Sequence, residues 1–168
     1  SKAVKTAHLF GVKVYVTVNI LMADTELEAL TAYLQSLDAA GVDGIIVQDL
    51  AVALLARRVV PNLPLHGSTQ MTVADADGVR FLEENGFTQA VLSRELSLAE
   101  IQSVCASSPL AIEVFIHGAS CMAYSGQCLM SSFLGGRSGN RGACAQPCRQ
   151  PYTLVRDGKE VKIGRAHV

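Results

Sequence analysis

Apolar residues run along this chain in two alternating rhythms. Short β-branched or wholly apolar runs are followed by longer stretches whose apolar positions fall three and four apart. Val12–Val18 (VKVYVTV) is rich in β-branched residues and predicts a strand. Leu27, Leu30, Leu34 and Leu37 then keep helical spacing behind a cap at Asp24 or Thr25, and Gly41 stops that helix. Gly44–Val47 (GIIV) carries only apolar side chains, as expected of a strand buried on both faces. Leu50–Arg58 reads as a helix, broken by Pro61 and Pro64. Leu65–Ser68 is a weaker strand, Ala74–Asn85 a helix closed by Gly86, and Ala90–Leu92 a strand. Ser97 caps a helix that reaches Cys105, and Ala111–Ile116 is the next strand. Ser1–Leu9 reads as a helix ahead of the first strand.

The βα unit recurs roughly every 25 residues, which predicts an α/β fold with five parallel strands and four crossover helices. No Gly-rich dinucleotide turn follows any strand, so a partial TIM-like (β/α) barrel is favoured over a doubly wound sheet. A complete barrel takes eight strands in about 250 residues, so 1–118 is read as an incomplete barrel and the chain as an internal piece of a longer protein. Barrel enzymes set their chemistry at the carboxyl ends of the strands. Those ends carry Asn19, Gln48 with Asp49, Ser68 with Gln70, Ser93 with Arg94, and His117. Caps and turn residues would look the same one by one. Arg94 and Gln70 stand out, because a cation and an amide at adjacent strand ends suit an anionic or carbonyl-bearing ligand. Glu113 and His117 lie four apart on the fifth strand, so both are expected on one side of it, where they could do acid–base work. An inward Glu bonded to a neighbouring strand reads equally well.

After Gly118 the periodicity stops. Ala119–Gln150 is rich in Gly, Ser and Cys and shows no convincing helix or strand, and so long an irregular run calls for an organising element. Four cysteines supply one: Cys121, Cys128, Cys144 and Cys148, spaced C-x6-C-x15-C-x3-C. Four thiolates can order a loop around a metal, whose binding energy replaces a hydrophobic core. Only Cys144/Cys148 fits the pairing of structural zinc sites, and Cys121/Cys128 is no standard ferredoxin spacing, so zinc and iron–sulfur both stay open. Cys105 reads as a small buried helix residue outside the set.

Charge adds a local feature. The formal net charge is −1, so nothing global points to nucleic acid. Yet no Asp or Glu occurs from Val114 to Arg156, while Arg137, Arg141, Arg149 and Arg156 do. This patch either balances an anionic thiolate cluster or faces phosphate. No apolar run reaches the roughly 18 residues of a membrane span, and Ser1–Phe10 has no signal-peptide core, which points to a cytoplasmic protein with no membrane partner. Residues 151–162 read as the start of a following β-rich region, and Ile163–Val168 (IGRAHV) as a non-native tail, set aside with His167. No H-E-x-x-H, G-x-S-x-G or phosphate-loop motif occurs.

A long signature runs through the cysteine segment: Glu113-Val-Phe-Ile-His-Gly-Ala-Ser-Cys121, Tyr124-Ser-Gly-Gln-Cys-Leu-Met-Ser131, Gly136-Arg-Ser-Gly-Asn-Arg-Gly142, Cys144-Ala-Gln-Pro-Cys-Arg149 and Tyr152. With Val14–Asn19, Ser68–Gln70 and Leu92–Ser97 upstream, it resembles the U32 collagenase-like peptidase family from Ser1 to about Lys162. One departure is Ser120, where the family usually has an aliphatic residue. The resemblance implies a TIM-like barrel and a [4Fe–4S] cluster held by four cysteines. By position, Cys121, Cys128 and one or both of Cys144 and Cys148 would be ligands, with the fourth ligand of several members lying further downstream. It implies oxygen-independent hydroxylation of a tRNA or rRNA base, or of a small aromatic quinone precursor. RNA is then the expected partner, with an accessory family member, and a peptide if the peptidase label holds. On that reading Arg94, Glu113 and His117 would serve catalysis, and Asn19, Gln70, Arg137 and Arg141 would bind substrate. A zinc-stabilised binding module without enzymatic activity is the remaining alternative.

Overall fold

The structure, a computed structural model, describes residues 1–118 and 121–161. The expectations for Ser120 and for Ile163–Val168 lie outside the described residues. Helix α1 (Lys2–Leu9) starts on Ser1, whose hydroxyl accepts from the Val4 N–H. Strands and helices then alternate: β1 (Tyr15–Val18), α2 (Leu27–Ala40), β2 (Gly44–Val47), α3 (Leu50–Val59), β3 (Leu65–Gly67), α4 (Ala76–Glu84), β4 (Gln89–Val91), α5 (Leu98–Ser107) and β5 (Ala111–Glu113). Asp49, Asp75 and Ser97 cap α3, α4 and α5 with their side-chain oxygens, and Glu100 completes a capping box on Ser97.

The five strands form one parallel sheet in the order β1-β2-β3-β4-β5. Order in space repeats order in sequence, so each crossover adds the next strand on the same side. A doubly wound sheet would reverse that order at a switch point. The sheet is therefore consistent with part of a (β/α) barrel wall, as the repeat predicts. Among the described residues β1 and β5 are its two edges.

Register decides which side chains meet the helices. Val16 pairs with Ile45 and Val18 with Val47; Ile45 pairs with Leu65 and Val47 with Gly67. These residues share one face, and they pack with Leu34, Val52, Val79 and Leu82 from the helices. A Cβ at Gly67 would come 2.6 Å from Leu82 Cδ1, so its absence gives the Leu82 side chain of α4 room against the sheet. The other face carries Tyr15, His66, Gln89 and Glu113. The Tyr15 and His66 rings stand 4.6 Å apart. Burial pushes the His66 imidazole below its ordinary pKa, against the opposing pull of the Glu113 carboxylate.

Several expectations are corrected in detail. β1 begins at Tyr15 rather than Val12, because its pairing starts opposite Gly44. α2 is capped by neither Asp24 nor Thr25; a 3-10 turn over Asp24–Glu26 precedes it, and the Ala23 N–H donates to Glu26 Oε2. β5 ends at Glu113, not Ile116, because β4, its one partner among the described residues, stops at Val91. Cys105 is exposed on α5, roughly 100° round the helix from the buried Val104. The cysteine segment is less irregular than its composition suggests: α6 (Met130–Gly135) and 3-10 turns at Gly139–Arg141 and Pro147–Arg149 lie within it. A hairpin of β6 (Val155–Arg156) and β7 (Lys159–Glu160) follows, with Asp157 and Gly158 both at positive φ in its turn. Among the described residues no helix is long and apolar enough to cross a membrane.

Candidate functional site

The carboxyl ends of the strands are covered by the segment that follows β5, and hydrogen bonds show how it is held. On one side it docks on the loops after β3 and β4. The Ser125 N–H donates to Glu95 Oε1 at 3.0 Å, Thr72 Oγ1 donates to the Ser125 carbonyl at 2.6 Å, and Gln127 Nε2 donates to Thr72 Oγ1 at 3.0 Å. Gly126, at φ +77, lies so close to the 3-10 turn at Thr69–Met71 that a Cβ would fall 2.0 Å from the Gln70 carbonyl oxygen. On the other side it docks on the loop after β1. The Leu21 N–H donates to the Asn140 carbonyl at 2.9 Å, and Arg141 donates to the Leu21 carbonyl and, through both terminal nitrogens, to Glu26. Within the segment Ser131 Oγ accepts from the Ala145 N–H, which ties α6 to the stretch between Cys144 and Cys148.

Between these anchors lies a cavity of about 760 Å³. Asn19, Ser68, Gln70, Arg94 and His117 line it from the strand ends, and Cys121, Cys128, Cys144 and Cys148 line it from the segment above. The polar ring and all four cysteines, read separately along the sequence, thus face one space. Phe115 and Tyr124, both mostly exposed, also line it. Cys128 is half-buried and the other three cysteines are exposed. The Gln146 N–H points to Cys144 Sγ at 3.3 Å. Among the described residues no three His, Cys, Asp or Glu side chains stand together closely enough to hold a metal ion.

The remaining candidates fall elsewhere. Glu113 does not line the cavity; its carboxylate accepts from Gln89 Nε2 on the adjacent strand. With β5 ending at Glu113, strand alternation does not carry His117 to the same side, and only His117 reaches the cavity. Arg137 and Arg141 lie outside the lining too. Arg137 Nε donates to the Ala143 carbonyl at 2.9 Å, inside its own loop. Asp49 is a cap, accepting from the Ala51 and Met22 N–H groups. Gln48 and Ser93 are buried, each with an unpartnered side-chain oxygen. Sequence reasoning missed Ser125, Thr72 and Glu26, which hold the segment in place. Their partners lie 30 to 115 positions away, and no local pattern reports such pairings.

The Arg141–Glu26 clasp should respond to pH. The paired guanidinium and the Ala23 N–H hold the Glu26 carboxyl below its ordinary value of 4.5. A carboxylate with a depressed pKa contributes stability above its unfolded-state value and loses it as pH falls through the folded one. Docking of the Gly139–Gly142 turn is therefore expected to loosen below about pH 4.5. Limited proteolysis with an acid-active protease checks this: cleavage in the turn should rise with acidification, and Arg141→Ala should be cut readily at every pH.

Comparison with known proteins adds to this geometry. A family model described as Peptidase family U32 matches residues 1–168. A 23S rRNA 5-hydroxycytidine synthase of Escherichia coli is 43% identical over 168 residues, covering 100% of this chain and 25% of that protein. A tRNA hydroxylation protein of Bacillus subtilis is 42% identical over 154 residues, covering 92% of this chain and 36% of its own length. The chain thus spans about a quarter to a third of these curated relatives. A solved structure titled as a U32 peptidase superposes with a TM-score of 0.57 at 16% identity, covering 67% of this chain and 49% of that one, a likeness of fold.

Proposed function

The chain belongs to peptidase family U32, and from that premise we propose that the whole protein is an iron–sulfur-dependent enzyme that hydroxylates a base in RNA. The observation that carries the proposal is the shared cavity: four cysteines face the strand-end polar groups across one space. The relatives named for tRNA hydroxylation and for 23S rRNA 5-hydroxycytidine synthesis supply the substrate class. A cytoplasmic location follows from RNA as the partner.

The donor chemistry suits a [4Fe–4S] cluster, because four thiols with no competing carboxylate in the segment are soft ligands for iron. Cys121 and Cys128 would hold it with Cys144, Cys148 or both; binding would draw the sulfurs together, since metal affinity orders such loops. Such a cluster supplies redox or Lewis-acid chemistry at the mouth of the barrel.

The chain's own residues then have definite tasks. Arg94 would bind an anionic or carbonyl group through its terminal nitrogens, and Gln70 and Asn19 would offer amides to the same ligand. His117 would hold or release a proton at the cavity wall. Phe115 and Tyr124 would stack on a base that has left its helix. Arg137 would meet phosphate from the rim. Arg141, whose terminal nitrogens are both engaged by Glu26 and one also by the Leu21 carbonyl, would hold the loop instead. A peptidase would need a general base beside a bound water or nucleophile, and Glu113 is turned to Gln89 away from the cavity. A zinc module would use the same four thiols and leave the polar ring without a task.

The test is to express the full-length protein in cells that lack it and to measure hydroxylated nucleosides in digested tRNA and rRNA by mass spectrometry. The proposal expects a hydroxylated nucleoside that disappears when the protein is deleted and returns with it. RNA that is identical with and without the protein sinks it. Arg94→Ala should lower the modified fraction by roughly 10²-fold, the loss expected when a charged positioning group in a closed site is removed.

A further inference from the structure

We infer that Ser125 keeps the Arg94 guanidinium available to the cavity by separating it from the carboxylate next to it in sequence. Arg94 and Glu95 are neighbours in the turn after β4, and both of their side chains reach the Ser125 hydroxyl, which leaves them close enough to compete for one another. Among the described residues no carboxylate pairs with Arg94. Ser125 stands between the two. Its hydroxyl donates its one hydrogen to Glu95 Oε1 at 3.2 Å and accepts from Arg94 Nε at 3.0 Å. Its N–H makes a second bond to the same Glu95 oxygen at 3.0 Å. Two donors from one residue thus hold the carboxylate to the side.

Hydrogen-bond counting shows what this leaves. A guanidinium has five N–H donors, and among the described residues only the Nε–H of Arg94 is taken, by a neutral oxygen. Arg94 lines the cavity, and among the described residues its four terminal N–H groups take no hydrogen-bond partner. Ser125 itself is 2% exposed and sits in the docked stretch between Cys121 and Cys128. The orientation of Arg94 is thereby coupled to docking of the cysteine segment. When the segment is seated, the cation is fixed and unpaired; when it lifts, Arg94 and Glu95 are free to close on each other. Ser125 is a positioning residue that acts through Arg94. The inference deepens the proposed function, which gives Arg94 the substrate's anionic or carbonyl group.

Reaction with phenylglyoxal, an arginine reagent, reads the state of Arg94 without reference to turnover. The full-length protein is treated briefly and modification at Arg94 is followed by peptide mass spectrometry. Ser125→Ala keeps the backbone bonds of the loop but removes the hydroxyl, so Glu95 should pair with Arg94 and slow its modification by up to about fivefold, the range of a partly exposed ion pair. The double variant Ser125→Ala with Glu95→Gln removes the competing charge and should restore the faster rate. A residue that only shaped the loop would not be rescued by a second loss. Modification of Ser125→Ala at or above the unsubstituted rate, or a double variant as slow as the single one, overturns the inference. The RNA assay is separate: absence of hydroxylated nucleosides with the unsubstituted protein sinks the proposed function and leaves the arginine result to stand or fall alone.

Discussion

Cys121→Ser or Cys128→Ser in the full-length protein is expected to remove bound iron and abolish RNA hydroxylation, with little change in the far-ultraviolet circular dichroism. The two cysteines flank the stretch that docks on the β3 and β4 loops, and both line the cavity. The core of Ile45, Val47, Leu65 and Leu82 between the sheet and its helices does not involve them, so the βα units should keep their structure. Losing even an outer-shell partner of a metal ligand costs about 10–100-fold in metal affinity, and losing the ligand costs more. Cys144→Ser and Cys148→Ser divide the remaining question. Both line the cavity, but among the described residues only the Cys144 sulfur receives a backbone N–H, from Gln146. Cys144→Ser should therefore cost more iron than Cys148→Ser. Iron and acid-labile sulfide per chain, measured without air, checks all four.

Gly126→Ala should have the second-largest effect, and by a different route. Two separate penalties fall on this residue. Its φ of +77 is a conformation that costs an L-residue about 1–2 kcal/mol. Its Cβ would stand 2.0 Å from the Gln70 carbonyl oxygen, a backbone atom that cannot swing aside. Forcing even small groups into tight packing typically costs about 1–3 kcal/mol. The segment relieves both penalties by lifting off the Thr69–Met71 turn, which breaks the Thr72–Ser125 and Ser125–Glu95 bonds. The expected result is rapid proteolysis between Tyr124 and Cys128 and a fall in iron content, while the thermal transition of the βα core moves little. Iron content and cleavage rate equal to those of the unsubstituted protein would refute the docked geometry.

Much of the scaffold is legible in the sequence, and the reason is physical. Gly44–Val47 is found as a strand with the predicted bounds, because a parallel strand buried on both faces leaves an uninterrupted apolar run. The helix through Leu30 and Leu34 ends at Gly41 in the left-handed conformation that glycine adopts without strain. What is lost is whatever depends on distant partners. β5 stops at Glu113 because β4 stops, a fact written in another part of the chain. α6 has six residues, too few for a 3.6-residue period to emerge from Met130-Ser-Ser-Phe-Leu-Gly, and Ser131 is held by Ala145 from 14 positions away. For the site, residue type and strand-end position were enough to select Asn19, Gln70, Arg94, His117 and the four cysteines, which the fold gathers around one cavity. The same reasoning could not tell that Glu113 turns to Gln89, or that Arg141 is spent on Glu26 across 115 positions.

The most direct test of the central claim is the iron and acid-labile sulfide content of the full-length protein, purified and analysed without exposure to air. The account predicts a brown protein with about four iron and four sulfide per chain. A colourless protein holding neither, or one zinc in their place, would contradict it.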